Sequence, residues 1–349
     1  MWWWTKRVGL SQRVAGHIDE ADCFHIAGWV TLEGGETVVS VEVDGKEVAR
    51  FKPSISRADL DLAVGPGKAL GFDHVYEEPL ADRATVTVRA QVAHQVGNSV
   101  VVKAEPEEDY QNIGDGLTTE LPPPNLIFTV VGHRRRREYA VNRVPPVRDI
   151  LSRLSEVSVG PSDLETILDF GCGAGRILAG WENLKGPQTK LLGCDINPKL
   201  IEFTQRAIPF AKTFVSDYSP PLAIDSESVD LVYAASVFTH LDEKAAQDWA
   251  NEFHRILRSG GLALVSFHGP AYESELGKIS KQGLKELRKR GFYMYTHNAA
   301  NKPTPGANDH ATFIKPDYFE KLFRSFNLIS IKTSKGFMSR HDVALLRKK

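Results

Sequence analysis

The stretch Ile167-Leu168-Asp169-Phe170-Gly171-Cys172-Gly173-Ala174-Gly175-Arg176 decides the fold. An apolar strand runs into a glycine-rich turn, and a helix follows. Glycine lets the chain bend sharply and lets a ligand approach bare backbone. The start of the next helix offers N–H groups that no helical carbonyl takes up. Dinucleotide enzymes hold a pyrophosphate on such groups, with the spacing G-x-G-x-x-G. Here the third glycine comes one residue early, and Asp169 stands two residues before the first. A carboxylate there repels a pyrophosphate and suits a ligand with a positive end and an amino group.

Outward from this turn the chain alternates strands and helices. Apolar runs lie at Thr166–Phe170, Lys190–Asp195, Lys212–Ser216, Val229–Ala234 and Leu262–Phe267. Helical stretches fill Arg176–Asn183, Pro198–Ala207 and Glu243–Leu257, the last reaching a double-glycine cap at Gly260-Gly261. Such alternation predicts a mostly parallel sheet covered on both faces. A helix near Pro316–Phe326 and strands near Leu328–Thr333 and Asp342–Arg347 complete the pattern. Two further acids end successive strands: Asp195 in Leu191-Leu192-Gly193-Cys194-Asp195, and Asp217 in Val215-Ser216-Asp217-Tyr218. A carboxylate at a strand tip accepts hydrogen bonds from hydroxyl or amino groups of a ligand in the crevice.

Glycine turn, acids and strand order together resemble the class I S-adenosylmethionine-dependent methyltransferases, in order and spacing from Leu151 to Lys349. The resemblance implies a Rossmann-like sheet of seven strands, the last antiparallel, with S-adenosylmethionine at the carboxyl ends of the first strands. It implies that Asp169, Gly171, Gly173 and Gly175 line the methionine part, that Asp195 takes the ribose, and that Asp217 takes the adenine with Tyr218 beside it. Amino methylation of DNA bases is not expected. Enzymes of that kind carry Asn/Asp-Pro-Pro-Tyr/Phe after the fourth strand, where this chain has Ala234-Ala235-Ser236-Val237.

Ahead of this domain, residues 16–103 read as all-β. Val39, Val41 and Val43 alternate with polar residues, Asp44-Gly45 marks a type I′ hairpin, and Thr85–Val92 alternates again. A small β-sandwich over residues 12–104 is expected. Ala27-Gly28-Trp29-Val30, Val41–Gly45 and Gly71-Phe72 resemble a β-rich module found beside bacterial glycosyltransferases, which implies a saccharide context. Residues 105–125, with Pro122-Pro123-Pro124, read as a linker, and 126–349 as the methyltransferase domain.

The 349 residues carry a net charge of −1, with 42% hydrophobic and 25% charged side chains. That describes a soluble two-domain protein with no global field for nucleic acid. No nucleic-acid partner and a cytoplasmic setting are expected. Cys23, Cys172 and Cys194 have no disulfide spacing. No apolar run reaches membrane-spanning length. Trp2, Trp3 and Trp4 beside Lys6 and Arg7 allow a weak membrane-surface contact, although a tail packed on the first domain is the plainer reading.

The acceptor is read as a small molecule or saccharide, methylated on oxygen. An alcohol loses a proton as it attacks, so a base near the methyl is required. The candidates are His240, after the fourth strand, His268, after the fifth, and His310, in the insertion that follows. Each has a plain alternative as a cap or a surface residue. The five histidines from His240 to His310 lack ligand spacing, so no metal is expected. Arg134–Arg137 reads as a solvated basic face, with a phosphate clamp as the sharper alternative. The basic helix near Glu273–Arg290 shares that ambiguity. A lipid or secondary-metabolite acceptor, or a scaffold that binds without turnover, are the rival readings.

Overall fold

The computed structural model describes residues 16–31, 37–57, 60, 67, 69–92, 95–105, 116–272, 279–296, 310–333 and 341–349. The tryptophans at positions 2–4 lie outside them. The chain divides into two compact units, 1–112 with 122–138, and 113–121 with 139–349. Residues 122–138, which include the proline run, fall with the first unit. Pro124 opens a helix, α1 (Pro124–Val131), where a proline costs nothing because the first helical N–H has no partner.

The first unit holds two four-stranded sheets. One runs β1 (Gly16–Ala21), β2 (His25–Thr31), β6 (Ala69–Val75), β5 (Ile55–Ser56). The other runs β4 (Lys46–Phe51), β3 (Thr37–Val43), β7 (Thr85–Val92), β8 (Gln95–Lys103). All their pairings are antiparallel. The alternating valines explain the core. Val39, Val41, Val86 and Val88 from one sheet meet Ile26, Val30 and Phe72 from the other. At the β3–β4 hairpin Asp44 and Gly45 have φ of 47° and 85°, the pair of positive values a type I′ turn requires.

The second unit is built on seven strands in the order β11 (Ala211–Val215), β10 (Lys190–Asp195), β9 (Thr166–Phe170), β12 (Val229–Ala234), β13 (Leu257–Phe267), β17 (Asp342–Lys348), β16 (Phe326–Thr333). Neighbours are parallel from β11 to β13, and β17 runs antiparallel to both β13 and β16. The seven-stranded sheet implied by the sequence is therefore present.

Among the helices, α2 (Arg136–Val141) and α3 (Val144–Ser155) precede β9. The glycine turn leads into α4 (Arg176–Gly180), and α5 (Pro198–Ala207) and α6 (Glu243–Ile256) follow in turn. In α6 the apolar residues Ala246, Trp249, Ala250, Phe253 and Ile256 recur at three- and four-residue steps, which gives one buried stripe. Asp242 caps this helix by accepting the Ala245 N–H at 2.7 Å. Against the stripe lies Phe170 of β9, its ring 4.5 Å from Trp249 and edge-on to Phe253.

Two element boundaries differ from expectation. Helix α4 stops at Gly180 and continues only as turns. Gly260-Gly261 does not cap α6. That helix ends at Leu257, whose ψ is 141°, because Leu257 already pairs with Val229 as the first residue of β13. The double glycine instead lets residues 258–261 loop out before pairing resumes at Leu231 and Leu262.

Gly180 marks the closest approach of α4 to α3. A Cβ there would stand 2.2 Å from the Arg143 carbonyl oxygen and 2.9 Å from Val147 Cγ2. Gly180→Ala is expected to lower unfolding free energy by about 2 kcal/mol, read as a reduced melting temperature.

Candidate active site

The glycine turn is held from two sides. Gly171, Gly173 and Gly175 all have positive φ, 77°, 54° and 76°, a region that side chains resist. The N–H groups of Gly171 and Cys172 both donate to the Cys194 carbonyl, at 2.8 and 2.9 Å. The Gly173 N–H donates to Asp195 Oδ2 at 2.9 Å. Two turns of chain from adjacent strands are thereby locked together. Thr204 of α5 donates to the Gly173 carbonyl at 3.0 Å, and Tyr139 to the Ala174 carbonyl at 3.2 Å. A Cβ at Gly175 would fall 2.3 Å from Ile208 Cδ1, so this glycine also serves close packing against the segment that ends α5.

Asp195, half-buried at the tip of β10, accepts a second N–H from Asn197 on Oδ1 at 2.9 Å. Burial raises its pKa, and the N–H groups of Asn197 and Gly173 pull it back. The Ile196 N–H also donates to this carboxylate, and since a carboxylate has about four acceptor sites, capacity for a ligand hydroxyl remains. Asp217 and Tyr218 are exposed beyond β11, and the Tyr218 carbonyl accepts from Trp249 Nε1 at 3.2 Å. Turn, half-buried carboxylate and exposed acid–tyrosine pair fit a nucleoside with ribose hydroxyls and an amino-bearing base.

Asp169 sits differently from the other acids. It is 1% exposed, paired in register with Tyr233 of β12, and hydrogen-bonded by the Tyr233 hydroxyl. Burial pushes its carboxyl up to about 7 against that hydrogen bond and the charge of Arg176. Trp181 Nε1 donates to the Tyr233 oxygen at 3.1 Å. Asp169 thus faces a buried polar group beneath the glycine turn. Sequence reading singled out neither Tyr233 nor Trp181, since each looked like core; a polar atom on a fully buried strand residue was the available signal.

The candidate histidines follow the ends of β12 and β13 or lie on a strand bonded to them. His240 lies in the turn after β12, and its Nδ1 is 2.6 Å from the His310 carbonyl oxygen. A carbonyl only accepts, so Nδ1 carries the proton, and in the neutral ring the lone pair is on Nε2. His310 is thus brought to this site through its backbone. It opens β15 (His310–Ile314), which pairs with β14 (Phe292–Thr296). Strand β15 is tied to both strand ends. The Thr312 N–H and hydroxyl donate to the Thr239 and Leu241 carbonyls at 2.8 and 2.7 Å. The Ile314 N–H donates to the His268 carbonyl at 2.9 Å.

His268 stacks on Tyr272 with ring centroids 4.0 Å apart, and His341 meets it edge-on at 4.7 Å. His341 was missed by sequence reading. The antiparallel run of β17, with Phe267 opposite Asp342, brings its start to the end of β13. It is 7% exposed, and burial, then the charge of His240, pushes its pKa down to about 4. Asp342 fixes this corner by accepting the Ala271 N–H at 3.0 Å.

The arginine run has another role than a solvated face. Within the first unit Arg134 pairs with Asp73 at 3.3 Å, Arg136 lies 3.9 Å from Asp22, and Arg137 pairs with Glu105 at 3.5 Å. The Arg137 N–H donates to Glu20 at 3.1 Å. Arg134 and Arg136 also lie over the rings of Phe128 and Phe24. These guanidinium groups hold the start of α2 and the residues just before it against the acids of the first unit.

Residues 167–261 match the family described as Methyltransferase domain. Over 112 residues the chain is 29% identical to the tRNA N(3)-methylcytidine methyltransferase Mettl2 of Drosophila melanogaster, across 30% of this chain and 34% of that protein. The chain therefore spans about a third of that curated relative. Among solved structures it is similar to an S-adenosylmethionine-dependent methyltransferase from Methanosarcina mazei, with a TM-score of 0.44 and 18% identity over 56% of this chain and 96% of that one. A TehB-like methyltransferase from Corynebacterium glutamicum gives 0.38 and 20%, over 59% and 88%. Residues 167–261 of the second unit thus carry a methyltransferase domain.

Between pH 4 and 7 the unfolded chain ionises Asp169 while the folded chain keeps its proton. Unfolded protein then binds fewer protons, so this group removes stability as pH rises through that window. Asp169→Asn lacks the penalty. Its stability relative to the parent is expected to rise from pH 4 to about pH 7 and level off above, by up to about 1.4 kcal/mol per pH unit, read as a difference in melting temperature.

Proposed function

We propose that the chain transfers a methyl group from S-adenosylmethionine to a hydroxyl of a sugar or glycan precursor, with His240 as the base. The observation that carries this reading is the His240–His310 hydrogen bond. It leaves the ring in the tautomer whose Nε2 can take a proton, at the carboxyl end of the strand that borders the glycine-turn strand. Near it, the His268 and His341 rings meet edge-on at 4.7 Å, and the charge of His240 acts on His341.

The glycine turn and Asp195 would hold the ribose and methionine parts of the cofactor, and Asp217 with Tyr218 the adenine. Bound there, S-adenosylmethionine supplies an electrophilic methyl on a sulfonium sulfur. The chain's own task is to align the acceptor, exclude water and receive the acceptor proton on His240 Nε2. The saccharide reading is supported by the first unit's resemblance to a module found beside glycosyltransferases. The similarity to Mettl2 supports a second reading, the N3 ring nitrogen of a cytidine in tRNA. A lipid or secondary metabolite remains as a third class.

A panel of sugar nucleotides, glycan lipids, phenols and tRNA with labelled cofactor separates these readings. Label on a saccharide oxygen supports the proposal, and label on tRNA alone overturns its acceptor. Loss of turnover with every acceptor, despite cofactor binding, favours a scaffold. His240→Ala is expected to lower kcat by about 100-fold or more while leaving cofactor affinity in place. Asp195→Ala is expected to weaken cofactor binding by about 10- to 100-fold in calorimetry, as for loss of hydrogen bonds to a charged group. Unchanged affinity would remove Asp195 from the cofactor site.

A further inference from the structure

A second polar cluster lies wholly within the first unit, at the turn from β1 to β2. Glu20, Asp22 and His25 each offer a ligand atom, and these atoms lie within 4.8 Å of one another. Asp22 and His25 are both 0% exposed. Asp22 Oδ1 accepts the Phe24 N–H at 2.7 Å, whereas Asp22 Oδ2 has no hydrogen-bond partner. Arg136 comes no closer to Oδ2 than 3.9 Å, beyond hydrogen-bond reach. His25 shows the same pattern. Its Nε2 is 3.2 Å from Asp73 Oδ1. Asp73 also pairs with Arg134 at 3.3 Å, so its carboxylate accepts and Nε2 is the donor. The neutral ring then has its lone pair on Nδ1, which has no partner either. A buried acceptor left unpaired costs stability unless a cation or donor meets it.

A carboxylate that receives one ring N–H of a histidine, with the other nitrogen turned to a ligand, is the arrangement that orients metal-binding imidazole. We propose that Glu20, Asp22 and His25 bind a divalent transition-metal ion, zinc by the chemistry of one imidazole and two carboxylates, with Asp73 orienting His25. Oxygen and nitrogen donors of this kind suit zinc or manganese and exclude the soft cations that need thiolates. The ion would staple the β1–β2 turn and add positive charge among acids that Arg134, Arg136 and Arg137 already meet. The spacing Glu-x-Asp-x-x-His is in the sequence, but it becomes a cluster only when the turn folds back. The histidines of the second unit form no comparable set among the described residues.

The test uses full-length protein stripped with chelator. Zinc titration by calorimetry and metal analysis after dialysis are expected to show about one ion per chain, with a melting temperature raised by roughly 5 °C at saturating zinc. Cobalt in place of zinc is expected to give visible d–d bands that zinc abolishes. Asp22→Asn and His25→Gln are each expected to weaken zinc at least about tenfold, and Asp73→Asn by a smaller factor. His341→Gln is expected to leave zinc affinity unchanged. Stripped parent protein that takes up no zinc and no cobalt overturns the proposal, with Arg136 then the sole counter-charge. Full zinc affinity in the Asp22 and His25 variants overturns it equally, since the ion would then sit elsewhere.

Discussion

The bond from the Gly173 N–H to the Asp195 carboxylate is the constraint from which the methyltransferase unit is organised. It joins the turn after β9 to the tip of β10, and the double donation from Gly171 and Cys172 to the Cys194 carbonyl repeats the join one residue back. A carboxylate is the stronger partner for a backbone N–H because the bond is charge-assisted. The turn adopts positive φ at three glycines, and such a backbone persists only where its surroundings fix it. Removing the carboxylate therefore disturbs a shape as well as a ligand contact.

The same economy governs the far end of the crevice. The ends of β12 and β13 carry His240 and His268, but neither strand alone positions them. Strand β15 does so, through Thr312 on one side and Ile314 on the other. It comes from an insertion with no place in the seven-stranded sheet, and it supplies the His310 carbonyl that sets the tautomer of His240. On the proposed reading, the proton-accepting nitrogen of His240 depends on this added strand pair.

The strand pattern was legible because buried parallel strands read as short apolar runs, and Ile167–Phe170 or Val229–Ala234 have no other explanation. Asp195 was legible as an acid at a strand tip. Asp169 was legible as an acid but not in its surroundings, since its partner Tyr233 is 64 positions away and meets it only by register. His341 was illegible for a related reason, because only the antiparallel closure of β17 brings it to His268. The double glycine after α6 misled because Gly-Gly suits a helix end and a loop inside a strand equally, and only the Val229–Leu257 pairing separates them. The arginine run was misread because its partners Glu20, Asp22, Asp73 and Glu105 are scattered over the preceding 117 positions.

That arginine run bears on how the protein can be cut. A chain begun at residue 126, where sequence reading starts the methyltransferase domain, keeps Arg134, Arg136 and Arg137 and discards Glu20, Asp22, Asp73 and Glu105. Such a fragment would carry three cations stripped of their counterparts, ahead of an otherwise intact catalytic fold. Its tendency to clump with polyanions would then reflect where it was severed rather than what it acts on, so any nucleic-acid affinity measured on it would need repeating with the leading sheets restored.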